Sequence, residues 1–141
     1  MINDIVTAIS QKLDSGFGDK YTIYSEDIKQ DLEEPCFFIG VLSSSQDKQM
    51  RRTYKKTIDF DIHYFSDKEY SINLDYLETT EKLYSALEYI EIYGQKYRSL
   101  KMKHEVVDNV LHFMLQFNYN ILEIIKYAKM KTLEVDMHGK G

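Results

Sequence analysis

A chain of 141 residues with 43% apolar and 29% charged residues has a globular composition, and its length suits one core rather than several. The balance of 18 basic against 23 acidic residues leaves a net charge of −5, the wrong sign for a surface that grips phosphate throughout. A single cysteine excludes an internal disulfide and a multi-cysteine metal cluster, and no apolar run approaches the roughly 20 residues that span a bilayer.

In MINDIVTAIS, Ile2, Ile5, Val6 and Ile9 recur at three- and four-residue spacing and continue to Leu13, which predicts an amphipathic helix over about 3–16 stopped by Gly16 and Gly18. The same stretch lacks the basic start of a signal peptide, so a chain made and kept in a cytoplasm is expected. YTIYS (21–25) has the β-branched and aromatic content of a short strand. An acidic connector, EDIKQDLEE (26–34), follows. CFFIGVL (36–42) is nearly continuous in apolar residues, as in a strand covered on both faces, with Cys36 as a small buried residue.

SSSQDKQMRRTYKKT (43–57) is polar and then basic, longer than the two to five residues that close a hairpin. It reads as a long arm at the sheet edge. TIDFDIHYF (57–65) then alternates, with Ile58, Phe60, Ile62 and Tyr64 on one face and Thr57, Asp59, Asp61 and His63 on the other. Helical spacing returns over 71–91, where Tyr76, Thr80, Leu83, Leu87 and Ile90 form a stripe widened by Leu77, Tyr84 and Ala86, and Gly94 marks the exit. Residues 97–107 alternate again. Asp108-Asn109 signals a turn, and 110–125 places Leu111, Phe113, Leu115, Phe117 and Tyr119 on one face, so the two segments should pair as an antiparallel hairpin. Leu133, Val135 and Met137 alternate in the last stretch, a possible edge strand.

The order α-β-β-β-α-β-β(-β) predicts an α+β fold: a mixed or antiparallel sheet of about five strands with two helices packed on one face. One domain is expected over 1–125, with a C-terminal arm or edge strand at 126–141.

No nucleophile elbow, P-loop or dinucleotide fingerprint occurs in the sequence. Asp59, Asp61 and His63 point the same way from a strand at about 7 Å intervals, so two carboxylates and an imidazole could approach one cation, with His104 and His112 as further contributors. Any water-facing strand also alternates in this way, so no catalytic residue, metal or cofactor is assigned. A metal-dependent hydrolase or nuclease built on these three residues is the alternative from another class.

Two charge patches carry more. Lys48, Arg51, Arg52, Lys55 and Lys56 stand against Asp47 alone, while Glu26, Asp27, Asp31, Glu33 and Glu34 stand against Lys29 alone. Opposite patches on one small domain suit a heterologous contact between copies, which closes as a ring where the rotation allows. The competing nucleic-acid reading takes the same cations with Tyr54 and Tyr64 as a phosphate-and-stacking surface, and the blandest reading is a solvated hairpin tip.

The phrases MINDIVTAISQKL, EPCFFIGVL, RRTYKKTIDFDIHYF and VLHFMLQFNYNI, in this order over about residues 1–125, resemble the phage tail terminator family of prophages and phage-tail-like particles. The resemblance implies a non-enzymatic structural protein, with a mixed sheet flanked by helices. It also implies a hexameric ring on the finished tail tube that stops tube growth and meets the head-side connector, with sheath held there in contractile systems. Expected partners are further copies of the chain and the tube protein, with sheath and connector proteins as further candidates, and no membrane or sequence-specific nucleic acid. Another neck or head-tail connector component is the nearest alternative. On this reading the subunit or tube interface comprises the basic residues Lys48, Arg51, Arg52, Lys55 and Lys56 with Tyr54 among them, the acidic residues Glu26, Asp27, Asp31, Glu33 and Glu34, and the face bearing Asp59, Asp61 and His63.

Overall fold

A computed structural model describes residues 1–25 and 33–122. Its elements are α1 (Ile2–Phe17), β1 (Thr22–Ser25), β2 (Cys36–Lys48), β3 (Thr53–Phe65), α2 (Ile72–Ala86), β4 (Tyr89–Ile92), β5 (Gln95–Arg98), β6 (Leu100–Val107) and β7 (Val110–Leu122). Five strands form one mixed sheet in the order β1-β2-β3-β7-β6, and β4 and β5 form a separate pair. This is the α+β class the pattern predicts. Among the described residues the chain divides into two units, Met1–Ser43 with Asp59–Phe117, and Ser44–Ile58 with 118–122.

In the first unit, α1 buries Ile5, Ala8, Ile9 and Leu13, the stripe its spacing foretells. Each large side chain so buried contributes roughly 1.5–3 kcal/mol. The helix runs through Gly16 and ends at Gly18, whose N–H donates to Asp14 O at 2.9 Å. Gly16 is therefore no stop signal. A Cβ there would lie 3.2 Å from the Cβ of Ala86, so its lack of a side chain lets α1 approach α2 closely.

Strands β3 and β7 supply the other wall of the core. Phe60, Ile62, Tyr64, Leu111, Phe113, Leu115 and Phe117 are all 2% exposed or less. Ring contacts join the sheet to the helices: Phe17 of α1 meets Phe37 of β2, Tyr84 of α2 meets Phe113 of β7, and Tyr76 of α2 meets Tyr64 of β3. Both helices therefore cover the same face of the sheet. Asp75 in the first turn of α2 accepts hydrogen bonds from the Tyr64 hydroxyl at 2.7 Å and the Ser66 hydroxyl at 2.5 Å, which ties the end of β3 to the start of that helix. A carboxylate at this end also suits the helix dipole.

Helix α2 stops at Ala86, five residues short of the expected end. Leu87 and Ile90 are fully buried as the stripe predicts, but Ile90 is buried, with Ile92, from β4, which pairs antiparallel with β5. Tyr93 and Gly94 link the two strands at φ 50 and 78, the double positive φ of a tight hairpin turn that glycine favours. Gly94 is a turn residue and not a helix exit. Leu77, assigned to the stripe, is 59% exposed.

The β6–β7 hairpin matches expectation, with Val107 opposite Val110 and Asp108-Asn109 at positive φ between them. Strand β2 does not. Cys36, Phe37 and Ile39 are buried, while Val41 and Leu42 are 48% and 59% exposed, so only its first half is covered. Strand β1 runs parallel to β2 and pairs only with Cys36–Ile39.

In the second unit, β2 continues to Lys48 and β3 begins at Thr53. The 43–57 stretch is thus paired strand for most of its length, and only 49–52 turn. There the Gln49 N–H donates to Thr53 O at 2.6 Å, and Arg51 takes φ 63. The expectation of a long arm erred because serine, glutamine and lysine read as loop, whereas ladder hydrogen bonds come from the backbone and tolerate polar side chains on exposed strands.

Candidate functional site

The sheet face opposite the helices carries two polar groupings on neighbouring strands. Asp59 accepts the Ser43 hydroxyl at 2.8 Å through one carboxylate oxygen and the Gln116 amide at 2.9 Å through the other. Two residues along, Asp61 Oδ2 receives both His63 Nε2 at 3.0 Å and His112 Nδ1 at 2.9 Å. Asp59 thus meets Gln116 while Asp61 meets His112, so β3 and β7 run in opposite directions. Period-two alternation puts all these side chains on one face.

Asp61 is only 8% exposed, and its second oxygen, Oδ1, is the one buried side-chain polar atom among the described residues without a hydrogen-bond partner. Burial pushes its carboxyl pKa up, but the hydrogen bonds and charge of His63 and His112 outweigh this and leave it below the ordinary carboxylate range. The two imidazoles lie with ring centroids 4.2 Å apart, and His63 also meets Phe38 at 5.6 Å. Asp61, His63 and His112 each offer a ligand atom, all within 4.8 Å of one another.

The constellation read along the strand is therefore divided. Asp59 belongs to Ser43 and Gln116, and His112 takes its place beside Asp61 and His63. His104, the other proposed contributor, lies elsewhere, with its Nδ1 2.9 Å from the Tyr84 hydroxyl. Only knowledge that β7 pairs with β3 could have selected His112 over His104.

Of the basic residues, Lys48, Arg51, Arg52 and Lys55 are exposed and Lys56 is half-buried, as is Tyr54 beside them. Glu33 and Glu34 are exposed, and the Glu33 N–H donates to the Tyr24 hydroxyl at 3.2 Å. Glu26, Asp27 and Asp31 lie outside the described residues, as does the 126–141 arm. Tyr64 is 1% exposed, which removes it from any base-stacking surface. Cys36 is fully buried, and burial with the nearby Glu34 charge pushes its thiol up to about 11, the opposite of an activated nucleophile. Among the described residues no helix is long and apolar enough to cross a membrane.

The sequence pattern of the phage tail terminator proteins matches residues 4–129. This chain belongs to the phage tail terminator family. No curated protein matches it. Several solved structures are similar, one of them at a TM-score of 0.42 and 12% identity over 85% of this chain and 94% of that one. Membership makes the terminator a structural component of a phage tail or tail particle, acting alongside other tail proteins.

Proposed function

We propose that this terminator closes as a ring, hexameric like those the family resemblance implies, on the finished tail tube, where it stops tube growth and presents a surface to the head-side connector. The observation that carries this reading is the β2–β3 hairpin, a strand-paired ribbon whose tip exposes Lys48, Arg51, Arg52 and Lys55. A paired ribbon loses less conformational entropy on docking than a loose arm does. Its partner on the next copy is the acidic connector, of which Glu33 and Glu34 are exposed. The outer sheet face with Asp59, Asp61 and His63 is assigned to a subunit boundary or to the central channel, where carboxylates avoid gripping passing DNA. No catalytic step is part of this role. The particle and, before assembly, the host cytoplasm are its locations, and sheath is a further partner where the tail contracts.

The test is a charge reversal, Arg51→Glu with Arg52→Glu, in tails assembled with tube protein. Overlong tubes in electron micrographs, with an unchanged circular dichroism spectrum, are expected. Combining it with Glu33→Lys and Glu34→Lys should restore capping in part. Normal capping by the Arg51/Arg52 variant would overturn the ribbon's role. Tubes of normal length that fail to join heads would instead assign the protein to the neck.

A further inference from the structure

We propose that Asp61, His63 and His112 form a binding site for one divalent transition cation of the zinc type. Two imidazole nitrogens and a carboxylate are the donor set that borderline cations prefer over hard ones such as magnesium or calcium. The three residues come from two adjacent strands, so the site exists only once β3 and β7 have paired. In a zinc site, nitrogens lie at about 2.0–2.1 Å and carboxylate oxygens at about 2.0–2.2 Å from the ion, which at tetrahedral angles sets the donors roughly 3.3 Å apart. Here each imidazole nitrogen is already 2.9–3.0 Å from Asp61 Oδ2, and all donors fall within 4.8 Å. Side-chain adjustments of about 1 Å complete the geometry.

The second observation is the buried, unpartnered Oδ1 of Asp61. An orphaned carboxylate oxygen is costly, and a cation seated against the carboxylate edge would engage both oxygens. Access is available, since the side chains of His63 and His112 are 29% and 20% exposed. With both carboxylate oxygens and two imidazoles engaged, the protein supplies four donors, and solvent can add a fifth. The consequence is a staple across the middle of the sheet, on the face away from the helices.

Zinc alone, titrated into the full chain by calorimetry in chelator-free buffer, should bind once per chain with a Kd of about 10 μM or tighter. His63→Ala and His112→Ala should each weaken it by more than about tenfold, since removing even an outer partner of a ligand has that effect. The chain has four histidines, so the double variant His104→Ala with His138→Ala is the control and should bind as the wild type does. If the ligand variants fail to fold, zinc, a diamagnetic ion, added to wild-type protein should shift the imidazole NMR signals of His63 and His112 far more than that of His104, which lies one strand further along the sheet. No saturable zinc binding, undiminished binding in His63→Ala and His112→Ala, or loss of binding in the control would each overturn the site.

Discussion

On the helix side of β3 and β7, Phe60 meets Phe117 edge to face with centroids 6.1 Å apart, and both rings are at most 1% exposed. One residue away on the same strands, Asp59 and Gln116 meet through a single hydrogen bond. The same pair of backbones therefore supports two kinds of cohesion. The helix side depends on filled volume, where any loss leaves a cavity. The outer side depends on directed partners, where a change of donor or charge counts more than a change of size. Stability should thus be concentrated on the first face and chemistry on the second.

Measurements that break this division should differ widely in size. The largest contrast is in Cys36, on the buried side. Its thiol keeps its proton up to about 11, whereas an unfolded thiol loses it near 8.5. Alkylation at pH 8.5 should therefore be slower in the folded protein than in denaturant by about a thousandfold or more, because it requires opening. The stability tied to the neutral thiol is complete below about pH 8.5 and is lost as the pH rises toward about 11.

Phe60→Ala comes next, with an expected loss of about 3–5 kcal/mol in urea unfolding. Asp61→Asn should cost about 1–3 kcal/mol near neutral pH. That cost should shrink in acid, because the folded carboxyl is held low and the stability it gives fades as the pH falls from the unfolded value of about 3.9 through the folded one. Tyr64→Phe removes one donor to Asp75 while Ser66 keeps its own, so roughly 1 kcal/mol is expected. Gln116→Ala, half-buried on the outer face, should cost under about 1 kcal/mol. If Gln116→Ala rivalled Phe60→Ala, the two faces would not be separable in this way.

The residues that alternate cleanly were the ones the sequence made legible. Ile58, Phe60, Ile62 and Tyr64 are all buried, because period two allows only one assignment once one face meets a core. Residues 87–92 were ambiguous: Leu83, Leu87 and Ile90 fit a helical stripe, while Ile90 and Ile92 equally fit a strand. The hairpin turn at Tyr93-Gly94 decides for the strand. The His112 contribution to the site was hidden for a different reason. It depends on which strand lies beside β3, and β7 follows 45 residues or more later in the chain, a pairing no local pattern encodes. Family membership was readable from phrasing and element order over most of the chain.

Strand β6 stands last in the order of the main sheet, with a bulge between Leu100 and Lys103 and a positive φ at Lys101. Its exposed side chains include Lys101, Lys103 and Glu105. Kinked backbone and lysine together make a poor template for a foreign strand. That edge of the sheet is thereby discouraged from accepting a foreign strand, even though Val106 and Val107 are exposed on it.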